Sequence, residues 1–151
     1  MTSSELPTIL TMEHESMQND LDRAARAGGQ TEKAAWQVSR VLFPHVYREE
    51  EFAIPPLALI PRLARGEFTP DMEKILAKTE VLKAEMPRML AEHKAIVGAL
   101  RRLLQAATDE GHPGFADFAQ KLILHAQMEE EVLYPASLLV GEFVKMKLEK
   151  S

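Results

Sequence analysis

Two stretches decide the reading of this chain: Pro44-His45-Val46-Tyr47-Arg48-Glu49-Glu50-Glu51 and Leu124-His125-Ala126-Gln127-Met128-Glu129-Glu130-Glu131. Each carries a histidine, a glutamate four residues on and two further glutamates. Each is followed by a proline at the same offset, Pro55 and Pro135. The match extends upstream, where Glu13-His14 with Met17 and Leu21 parallels Glu92-His93 with Ile96 and Leu100. His14 precedes His45 by 31 residues and His93 precedes His125 by 32. The chain therefore reads as two copies of one helical hairpin, each bearing His and then His-x-x-x-Glu. A unit of this length occurring only twice is no solenoid repeat; a pseudo-twofold bundle is the simpler arrangement.

The rest of the chain supports helix. Ala, Leu, Glu, Lys and Met are abundant, and aromatic residues make up only 6%, a balance that favours helix over strand. The first predicted helix spans Thr8 to Ala27, where Gly28-Gly29 stops it. The second spans Thr31 to Ala64, with interruptions expected at Pro44, Pro55, Pro56 and Pro61, and ends at Gly66. The third starts after Thr69-Pro70, with proline at the first helical position and acids in the first turn, and runs to Ala107 with a kink at Pro87. A polar loop covers Thr108 to Gly114. The fourth helix starts near Pro113 and reaches Lys147, with a kink or break near Pro135. Short connections between long helices predict an all-α, antiparallel up-down four-helix bundle, with residues 1–151 as one domain.

A helix turns about 100° per residue, so positions three, four and seven apart share a face. Leu10, His14, Met17 and Leu21 form one stripe. Val38, Leu42, His45, Glu49 and Phe52 form the second; Met86, Met89, His93, Ile96, Leu100 and Leu103 the third; Phe118, Leu122, His125, Glu129 and Val132 the fourth. A single histidine on such a stripe is usually a satisfied core residue, and a single His-x-x-x-Glu pair is usually a surface ion pair. Here four of the five histidines fall on four different apolar faces, in matched hairpins. Two carboxylates and four imidazoles converging on one core need compensation, because a lone buried carboxylate costs several kcal/mol. Cations supply it. The candidate metal ligands are His14, His45, Glu49, His93, His125 and Glu129. His112 reads as an exposed loop residue and Glu50 and Glu51 as a solvated face. Tyr47 and Tyr134 rotate away from the ligand stripe and read as interfacial or packing residues.

The absence of cysteine excludes disulfides, thiolate zinc sites and iron–sulfur clusters, so imidazole and carboxylate must hold any metal. Six N/O ligands exceed one tetrahedral zinc and suit two octahedral-leaning ions. Iron fits best, with manganese or zinc as possible substitutes. No Glu-x-x-His pair of the ferritin-like kind is present, and no His-Glu-x-x-His zinc motif. A net charge of −5 excludes a general nucleic-acid surface. No apolar run is long enough to span a bilayer, and Met1 to Pro7 lacks the pattern of a signal peptide, so a cytoplasmic location is expected.

The ordered set His14, His45-x-x-x-Glu49, His93, His125-x-x-x-Glu129 resembles the hemerythrin-like, or HHE cation-binding, domains over nearly the whole chain. That resemblance implies a four-helix bundle with a pair of non-haem irons (Fe2+/Fe3+), bridged by the two glutamates and by oxo or hydroxo. The oxygen-carrying branch adds a fifth histidine one turn from the third-helix ligand. Here the flanking positions are Met89 and Val97, and the second bridging carboxylate is Glu129 rather than aspartate. The pattern is closer to the four-His, two-Glu members, linked to iron handling, redox or oxygen sensing, and nitric-oxide or peroxide chemistry. The repair members of that branch carry a separate cysteine-bearing segment, which this chain lacks. The expected partner is a small molecule (O2, H2O2 or NO). Turnover, non-catalytic iron or oxygen sensing, and a metal-free structural bundle stay open alternatives. Pro44, directly before His45, removes a backbone donor beside a candidate ligand and could widen access to it.

Overall fold

In the computed structural model, which describes residues 6–150, the chain is helical and contains no β-strand among the described residues. The amino-terminal stretch read above for a signal peptide lies outside the described residues as far as Glu5. The α-helices are α1 (Thr8–Ala24), α2 (Gly29–Arg48), α3 (Ile60–Ala64), α4 (Ile75–Asp109), α5 (Pro113–Met128) and α6 (Tyr134–Lys150). Four of them form the bundle: α1 packs on α2 and α5, and α4 packs on the same two. Neighbours run antiparallel. The start of α2 meets Glu110 just beyond the end of α4, whereas His45 near the end of α2 meets Glu92 in the middle of α4. This is the up-down four-helix bundle that the sequence predicts.

The buried stripes stack in layers. Leu21, Val38, Leu42, Leu100, Leu103 and Leu122 belong to the main apolar core, to which all four bundle helices contribute. Next along the bundle comes the layer of histidines and glutamates. Beyond it Phe52, Ala53, Leu82, Met89 and Tyr134 form a second apolar layer. There α4 and α6 run on together, and the segment 54–74 folds over them around Met72, Val140 and Val144. The polar layer is thus held between apolar ones, which keep water from it.

The prolines act differently from one another. Pro44 and Pro87 sit inside α2 and α4 without ending them. Both face solvent, where water can satisfy the carbonyl that each leaves without a donor. Pro55-Pro56 does end the second helix, so the predicted span from Thr31 to Ala64 is corrected. The helix stops at Arg48, passes through a π-helical turn (Glu49–Ala53) and a 3-10 turn (Pro55–Leu59), and resumes briefly as α3. Pro135 has the same effect, with a π-helical turn at Glu129–Leu133 between α5 and α6. In each turn the residue before the proline, Ile54 or Tyr134, donates to the carbonyl five residues back, of Glu49 or Glu129. A proline ring clashes with the carbonyl four residues earlier, and a widened turn relieves that clash. The predicted third helix likewise opens with a 3-10 turn (Pro70–Lys74), and the first ends at Ala24 rather than Ala27.

The π-helical turn changes which residues face inward. One extra residue in the turn shifts the register by about 100°. Tyr134, counted outside the buried stripe, is buried; Val132, placed on it, is exposed, although Phe52 at the matching position of the other turn is buried. The reading of Tyr134 as a residue turned away from the ligands is therefore corrected.

Candidate metal centre

All six candidate ligands meet in the polar layer. His45, Glu49, His93 and Glu129 are buried and present ligand atoms that all lie within 4.8 Å of one another. His14, His125 and Glu129 form a second such group. Glu129 belongs to both, with its Oε1 3.2 Å from His93 Nε2 and its Oε2 3.2 Å from His125 Nε2. Glu49 spans the centre in the same way, 3.5 Å from His45 Nε2 and 3.8 Å from His14 Nε2. Each hairpin supplies its glutamate from the residue that opens the π-helical turn.

The Nε2 atoms of the four imidazoles face these carboxylates, and a further carboxylate lies on the Nδ1 side of each ring. Glu92 bonds His45 Nδ1 at 2.9 Å, and Glu130 bonds His93 Nδ1 at 3.1 Å. Glu13 lies 3.1 Å from His125 Nδ1, and Glu50 lies 3.7 Å from His14 Nδ1. The four obey the twofold of the sequence. Glu13 and Glu92 directly precede first-helix histidines, and each serves the second-helix histidine of the other hairpin. Glu50 and Glu130 directly follow the central glutamates and serve their own hairpin's first histidine. Glu50, read from the sequence as part of a solvated face, is half-buried against His14; Glu51 is exposed as expected. For His45 and His93, whose Nδ1 donates to a carboxylate, that bond fixes the ring and its tautomer and leaves the inward nitrogen as a lone pair. The Glu-His and Glu-Glu doublets were the sequence signal for this outer ring. Arg48 pairs with Glu92, and Arg88 approaches it at 3.4 Å. Burial acts against ionisation of Glu92, but His45 and Arg48 outweigh it and hold the carboxyl below its usual range.

A cation fits what these residues lack. Burial, and then the facing Glu129 carboxylate, push Glu49 up to about 8. Burial opposes ionisation of Glu129 too, but bonds from His125 and His93 hold it well below the usual carboxylate range. Desolvation lowers His14; in His45 and His125 it is outweighed by the glutamates and the net shift is upward. His125 Nε2 and His14 Nδ1 are buried with no hydrogen-bond partner among the described residues. The unpaired inward nitrogen of His125, beside two buried carboxylates, belongs to a donor set that an ion of imidazole and carboxylate preference completes.

Tyr134 is the residue that sequence reasoning missed. Its hydroxyl donates to Glu49 Oε2 and lies 3.1 Å from His45 Nε2 and 3.0 Å from His93 Nε2. Burial, with the adjacent Glu49, raises the phenol well above its usual range. Tyr47 is exposed, in keeping with the sequence reading. His112 marks the start of α5, half-buried against the Phe115 ring, and belongs to neither ligand group.

Beside the carboxylates lies a cavity of about 10 Å³, walled by Met17, Leu42, Val46, Ile96, Leu122 and Ala126. It has room for a molecule of about the size of water. Met17, Leu42 and Val46 also line the groove between α1 and α2 that opens to solvent past Phe43 and Tyr47. Among the described residues no helix is long and apolar enough to cross a membrane.

Comparison with curated proteins and with solved structures returns no match. The model of one family, the hemerythrin HHE cation-binding domain, matches residues 6–137, which takes in every candidate ligand and the whole four-helix bundle. The chain belongs to the hemerythrin HHE cation-binding family.

Proposed function

We propose that this domain is a non-haem di-iron protein that binds or reduces a small ligand (dioxygen, peroxide or nitric oxide). In this reading residues 1–151 are one cytoplasmic domain. His14, His45, His93 and His125 each give an inward nitrogen, and Glu49 and Glu129 bridge two ions. The observation that carries the reading is Glu129's membership of two adjacent ligand groups, which suits a pair of ions sharing a carboxylate rather than one ion. The six N/O donors favour iron over a thiol-seeking metal, with manganese or zinc as substitutes. Iron would supply an electrophilic centre able to accept a small ligand and exchange electrons with it.

The chain's own residues do the rest. Glu92 and Glu130 keep His45 and His93 in the ligating tautomer. Met17, Leu42, Ile96 and Leu122 give the cavity an apolar wall, which suits a small, weakly polar ligand. The cavity, of about 10 Å³, suits only a very small molecule beside the carboxylates.

The test is rapid mixing of the ferrous-loaded protein with dioxygen, hydrogen peroxide or nitric oxide, one at a time. Consumption above that of the same concentration of free iron supports an enzyme. Stoichiometric binding without consumption supports a sensing or iron-binding module at the same centre. Neither binding nor consumption of any of the three contradicts the small-ligand reading.

A further inference from the structure

The two ligand groups differ in a way that the twofold of the sequence does not predict. Tyr134 stands nine residues after His125, and its twofold counterpart nine residues after His45 is Ile54. Both follow a π-helical turn and both are buried. Only one carries an oxygen. At Tyr134 the hydroxyl meets Glu49 Oε2, His45 Nε2 and His93 Nε2 together. With Nδ1 of His45 and His93 donating outward to Glu92 and Glu130, both Nε2 atoms present lone pairs. A phenol has one proton and can serve one of these three acceptors. A cation among them satisfies all three at once, and the phenol oxygen with them.

We infer that Tyr134 is a seventh metal ligand, giving its phenol oxygen to the ion held by His45, His93, Glu49 and Glu129. This rests on the metal reading above. On binding a ferric ion the O–H bond is replaced by an oxygen–iron bond, and the proton leaves to solvent; no electron moves. A bound cation inverts the usual preference of a buried acidic group for its protonated form, and tyrosine is a known oxygen ligand for ferric iron.

The pair of ions is then unsymmetrical. The His45–His93 side is the more deeply buried, its two imidazoles 1% and 2% exposed, with Tyr134 between it and the apolar layer of Met89 and Leu82. The His14–His125 side has no counterpart phenol, and its imidazoles are 8% and 13% exposed; each side has one histidine on a surface groove, His14 between α1 and α2 and His93 between α4 and α5.

The test compares the wild-type protein with Tyr134→Phe, both loaded with iron and oxidised, by iron analysis and visible absorption. The wild type is expected to show a phenolate-to-ferric charge-transfer band, and Tyr134→Phe to lose it while keeping its iron. A wild-type spectrum unchanged by Tyr134→Phe at equal iron content overturns the inference and leaves the metal reading intact. Should Tyr134→Phe fail to fold, resonance Raman on the loaded wild type decides: ring modes of a coordinated phenolate support the inference and their absence overturns it. Less than one iron per wild-type chain overturns the metal reading and the inference with it.

Discussion

At the residue scale, the centre rests on carboxylates doing two jobs. Glu49 and Glu129 lie between the histidines, while Glu13, Glu50, Glu92 and Glu130 hold them from behind. Glu92 has the firmest placement, bonded to His45 at 2.9 Å and paired with Arg48. Glu92→Gln keeps the shape but gives up the charge. It is expected to weaken iron binding about 10–100-fold, the usual cost of losing such an outer partner, as read by competition with a chelator. An unchanged affinity would remove the outer ring from the account. The six candidate ligands were legible in the sequence because four histidines recur on apolar faces in two matched hairpins. Tyr134 was not. Counting by 3.6 residues per turn carries it away from Glu129, and only the widened turn ahead of Pro135 brings it back.

At the scale of the elements, one contact sets the register of α2 against α4. Glu110 accepts from the backbone N–H groups of Gln30 and Thr31 and from the Thr31 hydroxyl, at 2.9, 2.8 and 2.6 Å. A carboxylate at a helix start satisfies free donors and complements the helix dipole. These bonds depress Glu110 from 4.5 to about 2. Its contribution to stability is therefore full above pH 4.5 and is lost as the pH falls toward 2. Glu110→Gln is expected to flatten the acid arm of a stability–pH curve in that window, and an unchanged acid arm would speak against the cap. Gly29 is needed beside it, since its φ of +62° is left-handed and a Cβ would strike the Glu110 carboxylate. Gly29→Ala is expected to cost at least ~1–2 kcal/mol in urea unfolding. On the other side of the centre, a Cβ on Gly141 of α6 would run into Thr79 of α4. Gly141→Val is expected to cost about 1–3 kcal/mol by overpacking. None of these contacts could be read from the sequence. Gly28-Gly29 marks a stop equally well whether or not a carboxylate from residue 110 comes to meet it.

For the whole molecule, the bundle is an arrangement in which two apolar layers enclose a polar one that is incomplete by itself. The helices, their order and their antiparallel sense followed from periodicity and short connections. The splitting of the second helix and the joint between α5 and α6 did not, because proline can bend, end or widen a helix, and exposure alone does not decide which: Pro135 is exposed like Pro44 and Pro87. Pro44 and Pro87 face solvent and are absorbed; Pro55 and Pro135 follow buried glutamates and widen the turn. A polar layer that needs cations ties stability to metal. At a free ferrous concentration a hundredfold above the dissociation constant, the folded state should gain about 2.7 kcal/mol per ion, seen as a rise in melting temperature under anaerobic conditions. The most direct measurement of the central claim is the iron count per chain after anaerobic loading and desalting, on the wild type and on Glu129→Ala, whose carboxylate serves both ligand groups. The account predicts two irons in the wild type and fewer than one in a folded Glu129→Ala. One iron or none in the wild type, or an equal count in both proteins, would contradict it.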